Sequence, residues 1–167
     1  MPDATLFLMF IQAKLRGIPD SEIWGTLYFS DFWQELGAIS NSIPVFILIG
    51  IVGFLLGGRL YSGSIPGRAI LVFAVAALLH CIADLPLHHD DGHAHFWPFT
   101  RWIFSSPVSY WDPAHHGLVW TPIEICIAGL CAWLIWRRFN SAWVRFFVVL
   151  SMLAYPLMMF FWFMTVA

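Results

Sequence analysis

Charge is scarce in this chain. Only 11 % of its 167 residues are Asp, Glu, Lys or Arg, whereas a soluble domain carries roughly 25 %. The three cysteines, Cys81, Cys126 and Cys131, lack CxxC spacing. That excludes a zinc ribbon and a thioredoxin-like pair, and it leaves them as small buried packing residues. No GxSxG setting surrounds Ser105, Ser106, Ser109 or Tyr110, so a serine nucleophile is not indicated. Internal repeats and low-complexity linkers are missing as well. Residues 4–13 are apolar, but Asp3 precedes them where a signal peptide has a basic region, so no cleavable signal is expected.

What fills the chain instead is apolar and aromatic: 60 % of its residues are hydrophobic and 18 % aromatic. This is the composition of a multi-pass membrane protein. The expected fold is all-α, one membrane domain over 1–167 built as a helical bundle. Four runs, 37–57, 69–87, 117–136 and 142–165, approach the ~20 residues a bilayer crossing needs. Residues 1–36 read as an N-terminal interfacial segment. Within it, 4–16 is too short to span comfortably, and 20–35 mixes acids with aromatics.

Charge placement predicts orientation. The 58–68 connection holds Arg59 and Arg68, and the 137–145 connection holds Arg137, Arg138 and Arg145, with no acid in either. By the positive-inside rule both face the cytoplasm. Both termini and the 88–116 loop then face outward, which in a bacterial inner membrane is the periplasm. Tryptophans at both ends of the helices fit aromatic belts, as interfacial anchors.

Between His80 and His116 lie all seven histidines and four of the ten acids. Such a cluster is costly near lipid, and neutral imidazole with ionised carboxylate is a ligand set for a divalent metal. His80 and Asp84 share a helix face, and His88 follows four residues later, beyond Pro86, where the helix must bend or end. His93 and His95 alternate in the loop, so they point to one side of an extended segment. The candidate ligands are His80, Asp84, His88, His89, His93, His95, His115 and His116. Each has a bland alternative: a helix–helix hydrogen bond for a membrane histidine, solvation for a loop one. Glu124 lies in an apolar helix and is functional by default, as ligand or base. Asp91 is an alternative base. Arg101 suits a bidentate phosphate clamp, or a snorkelling anchor beside Trp102.

These donors suit one or two zinc ions, and also manganese or iron. The expected function is a metal-dependent hydrolase acting on a lipid or phosphoester at the periplasmic interface. The partners are membrane lipid, no nucleic acid, and a homo-oligomer or another membrane protein. A non-catalytic metal-binding or ion-handling subunit is one alternative. A di-iron membrane oxygenase is another, against which stands the lack of HxxxH and HxxHH spacings.

The segment from His80 to Gly117 resembles a block of bacterial inner-membrane metal-dependent hydrolases of the LexA-regulated type, through His80-x3-Asp84 and the Pro98-Phe99-Thr100 turn. HCIADLPLH is also similar to the zinc motif of zinc-dependent phospholipases C and single-strand nucleases, which implies His80, Asp84 and His88 as metal ligands. The first histidine here comes later than in the membrane hydrolases, and the Asp84-to-His88 spacing is shorter than in the soluble enzymes. SDFWQELGAISNSIPVF resembles the ceramidase-like membrane hydrolases. That likeness implies that Glu35, Ser40, Asn41 and Ser42 lie at the outer end of helix one, near the same site.

Overall fold

In the computed structural model, residues 2–59, 65–110 and 112–166 are described, with side chains omitted at 58–59, 154–155 and 157–166. All regular structure among them is helical. The chain divides into two compact units, Met1–Ser109 and Tyr110–Ala167.

The first unit begins with α1 (Ala4–Leu15) and α2 (Asp20–Glu22), which widens into a π turn over Ile23–Leu27. Helix α3 (Asp31–Ser40) follows. Met9 and Ala13 of α1 bury against Ile23, Tyr28 and Trp33, so the 1–36 segment carries a small core of its own. The chain then breaks at Asn41–Ser42 and resumes as α4 (Ile43–Phe54). Ser42 starts the new helix: its Oγ accepts from Val45 N at 3.2 Å, and Pro44 occupies the first turn, where a missing N–H costs nothing.

Helix α5 (Ile65–Asp84) packs against α4. The contact is close because glycines face each other. A Cβ on Gly67 would come within 2.4 Å of Gly57 N, and one on Gly53 within 2.6 Å of Leu71 N. Small residues at such crossings let apolar helices gain van der Waals contact. Farther along α5, Ala74, Ala77, Cys81 and Asp84 are buried at helical spacing, so one face points inward. As expected from Pro86, α5 ends there, in a single 3-10 turn over Leu85–Leu87.

The second unit holds a 3-10 turn (Pro113–His115), α6 (Gly117–Arg138) and α7 (Ala142–Val166). Helices α6 and α7 pack together, and their arginines lie over aromatic rings: Arg145 is 4.8 Å from the Trp136 centroid and Arg137 5.2 Å from that of Trp133.

Three helical stretches are long and apolar enough to cross a membrane: Asp31–Gly57, Ile65–Leu87 and Gly117–Arg138. The first starts before the expected 37–57 because α3, which carries Asp31, Gln34 and Glu35, leads directly into α4 across the break. Of the expected 142–165 run, Ala142–Leu153 is a shorter apolar helix, and the side chains beyond it lie largely outside the described residues. Residues 60–64 of the first basic connection, and Trp111, also lie outside them. Cys81 is buried as expected for a packing residue. Cys126 and Cys131 are instead exposed on α6, whose apolar window buries none of its residues among those described.

Candidate metal centre

The helix break at Asn41–Ser42 organises the site. Ending one helix and starting another frees backbone groups that need partners. The 88–106 loop supplies them. Ile43 N donates to His95 O at 2.8 Å, His95 Nδ1 donates to Asn41 O at 3.0 Å, and Ser42 Oγ donates to Trp97 O at 2.5 Å. The loop is therefore strapped across the break, and its register is fixed at His95.

This clamp sets the His95 tautomer. Its Nδ1 carries the proton that Asn41 accepts, so Nε2 presents a lone pair. That nitrogen is buried and has no hydrogen-bond partner. Burial also lowers the His95 pKa and keeps the ring neutral. The Nε2 atom faces Asp84 Oδ2 at 3.9 Å, and that oxygen is likewise buried and unpartnered. Two lone-pair donors thus face each other with no proton between them, in an enclosure where His95 is only 3 % exposed. An unsatisfied buried polar atom costs roughly 1–3 kcal/mol. A cation between the two would satisfy both. Asn41 Oδ1 and His80 Nε2 are two further buried atoms without a hydrogen-bond partner.

The other Asp84 oxygen is engaged. Oδ1 accepts from His88 Nε2 at 2.9 Å, while His88 Nδ1 donates to Asp91 Oδ1 at 2.7 Å. A histidine donating from both nitrogens is an imidazolium. Burial opposes that charge, but the Asp84 and Asp91 carboxylates outweigh it and raise the His88 pKa to about 10. His88 therefore orients Asp84, with both of its ring nitrogens on carboxylates. Tyr28 anchors the far end by donating its hydroxyl to Asp91 O, and burial pushes its phenol pKa up.

His93 sits between these rings, its centroid 6.1 Å from those of His88 and His95. Burial pushes its pKa down to about 4, so it is neutral. Gly37 makes the space for it, since a Cβ there would stand 3.2 Å from His93 Nδ1. His80 Nε2 lies 3.1 Å from Asp3 Oδ2, close but without hydrogen-bond alignment. His89 points elsewhere: its Nδ1 donates to Ser106 O at 2.7 Å, and Ser106 in turn donates its Oγ to Pro86 O at 2.6 Å.

Arg101 is exposed and pairs with Glu35 Oε2 at 2.7 Å, while Glu35 Oε1 accepts from Trp97 Nε1 at 3.0 Å. His115, His116 and Glu124 belong to the second unit. There His115 Nδ1 donates to Asp112 Oδ2 at 2.6 Å, and Asp112 Oδ1 caps Ala114 N at 2.8 Å. His116 is exposed and left-handed at φ 68° where α6 begins, and Glu124 is half-buried on α6.

The structure thus gathers Asp84, His88, His93 and His95, with His80 beside Asp3. Among the described residues, no three His, Cys, Asp or Glu side chains already stand in metal-binding geometry. Neutral imidazole and carboxylate are the donor types that divalent cations take. Asp3, Tyr28 and Gly37 are participants that sequence reasoning missed. Asp3 read only as an acid before an apolar run, and nothing in local spacing links it to His80. Comparison with known proteins returned no match to a family model, to a curated protein or to a solved structure.

Proposed function

We propose that this chain is a multi-pass membrane protein that binds a divalent metal between His95 and Asp84 and uses it for hydrolysis. The observation that carries the reading is the opposed pair of buried, unpartnered atoms, His95 Nε2 and Asp84 Oδ2, 3.9 Å apart. His80 joins them from one α5 turn before Asp84, at the i, i+4 spacing that shares a helix face. Zinc, manganese and iron all accept such ligands.

When bound, a divalent ion supplies Lewis-acid polarisation and lowers the pKa of water to about 7. The protein's own residues do the rest. His88 holds Asp84 in one orientation and carries a positive charge beside it. Asp91 steadies His88 and acts as the base. Arg101, released from Glu35, would meet an anionic substrate. A lipid or phosphoester substrate follows from the membrane setting. The resemblance of HCIADLPLH to zinc phosphodiesterase motifs agrees with that chemistry.

Helix α7 serves as a fourth span, and the site faces outward. Support comes from the two acid-free, arginine-bearing connections, which the positive-inside rule puts in the cytoplasm. One observation favours a non-catalytic metal site: the donors are nearly enclosed, as in structural sites that lack an open position.

The test is metal content and hydrolysis in detergent-purified protein. The expected result is about one metal per chain, lost in His95→Ala, with chelator-sensitive cleavage of phosphoester or lipid-ester substrates. Metal binding without cleavage would leave the non-catalytic reading. No retention of zinc, manganese or iron by the wild type would overturn both.

A further inference from the structure

The basic end of the second unit carries a groove. Helices α6 and α7 leave a cavity of about 340 Å³ between them, lined chiefly by Trp133 and Trp136 of α6 and by Val148, Val149, Met152 and Leu153 of α7. Every one of these side chains is apolar. Trp133 and Trp136 stay exposed, so the groove opens to its surroundings, which for helices in a bilayer are lipid. We propose that it seats an acyl chain of an anionic phospholipid whose phosphate is held by Arg137 and Arg145. The membrane reading above is needed for this, and the metal is not.

Three observations converge. The first is register. Arg145 precedes Val148 and Val149 by one helical turn, and Arg137 follows Trp133 by one turn, so both arginines stand on the faces that line the groove, just beyond its end. The second is how they are held. The Arg137 guanidinium lies 5.2 Å from the Trp133 centroid, and that of Arg145 lies 4.8 Å from the Trp136 centroid. Stacking on the groove's own rings fixes both planes at its mouth and leaves edge N–H groups for a bidentate phosphate contact. Asn140 Oδ1 accepts from Arg145 Nη2 at 3.0 Å, while Arg145 Nε has no hydrogen-bond partner. The third is charge. No Asp or Glu follows Glu124 in the sequence, and Glu124 stands about 20 Å along α6 from Arg137 at ~1.5 Å per residue. The local chain thus offers these arginines no carboxylate. An apolar groove under a cationic mouth complements an acyl chain under a phosphate, as in basic pockets between membrane helices that take anionic head groups. Arg138 differs: it leans over Phe139 at 5.6 Å, outside the groove lining.

The probes are dioleoylphosphatidylglycerol and dioleoylphosphatidylcholine, which share acyl chains and differ in head-group charge. Each would be titrated into the full chain in a neutral detergent, where no bilayer surface potential acts, with bound lipid counted by native mass spectrometry. The wild type is expected to bind phosphatidylglycerol at least about tenfold more tightly. Arg137→Gln and Arg145→Gln should each weaken it by about fivefold, and Arg138→Gln should leave it nearly unchanged. Val149→Trp fills the groove and should weaken both lipids. Equal binding of the two lipids by the wild type would overturn the proposal. So would equal losses from all three arginine substitutions, which mark diffuse surface charge, or undiminished binding in Val149→Trp. Should Arg145→Gln or Val149→Trp fail to fold, the exposed pair Arg137→Gln and Arg138→Gln decides: a loss confined to Arg137→Gln supports the site, and matching values contradict it. None of these outcomes bears on the metal reading, because every substituted residue belongs to the second unit.

Discussion

Two histidine–aspartate pairs look alike on paper and differ in space. In the first unit, Asp84 and His88 are four apart. In the second, Asp112 and His115 are three apart. His88 is 8 % exposed and carries carboxylates on both nitrogens. His115 is 30 % exposed, and the carboxylate it bonds also caps a 3-10 turn. The first pair is part of a buried network that ends in unpartnered lone pairs. The second is a turn motif beside the start of α6. Burial separates them, and burial comes from the loop being strapped across a broken helix. Residue spacing alone does not make a site.

The largest effects should come from breaking the first pair. Asp84→Ala leaves the His88 charge buried with one partner removed, a change worth about 3–5 kcal/mol. Asp112→Ala removes a half-exposed cap and should cost about 1 kcal/mol. Thermal unfolding in detergent checks both, and equal losses would erase the distinction. Next is Gly37→Leu, which pushes into His93, where even a Cβ approaches to 3.2 Å. Overpacking of this kind costs about 1–3 kcal/mol. It should lower the melting temperature and weaken metal binding together.

The folded pKa of His88 is raised to about 10 from 6.5. Its contribution is therefore complete below pH 6.5 and lost as pH rises through 10. The folded pKa of His93 is lowered to about 4, so its contribution is complete above pH 6.5 and lost as pH falls through 4. In chelator-treated protein, His88→Gln should flatten the alkaline limb of a melting-temperature profile and His93→Gln the acid limb. Profiles unchanged by either substitution would contradict these assignments. The smallest effect belongs to Arg101→Ala. An exposed ion pair contributes about 0–1 kcal/mol, so stability and metal content should hold, and only turnover of an anionic substrate should fall.

Much of this was legible in the chain. Apolar runs announced the long helices, and Pro86 marked the end of α5. The roles within the histidine cluster were not legible. His88 sits in a ligand-like His80-x3-Asp84-x3-His88 strip, yet both of its nitrogens go to carboxylates, because Asp91 folds back across the turn. Asn41 contributes a backbone carbonyl, and a carbonyl freed by a helix break leaves no side-chain signature. Asp3 meets His80 only through the packing of α1, which no local pattern reports. Cys126 and Cys131 are exposed because an apolar helix in this chain need not bury its small residues; the most apolar stretch of α6 buries none of its residues.

In the proposed centre His95 Nε2 and Asp84 Oδ2 close on a cation. X-ray absorption at the metal edge, on protein loaded with manganese or zinc in membranes, tests it most directly. The expected spectrum shows a shell of nitrogen and oxygen at ~2.0–2.2 Å, no sulfur, and imidazole scattering that diminishes in His95→Ala. A spectrum of a hydrated ion without imidazole scattering, identical in the two proteins, would contradict it.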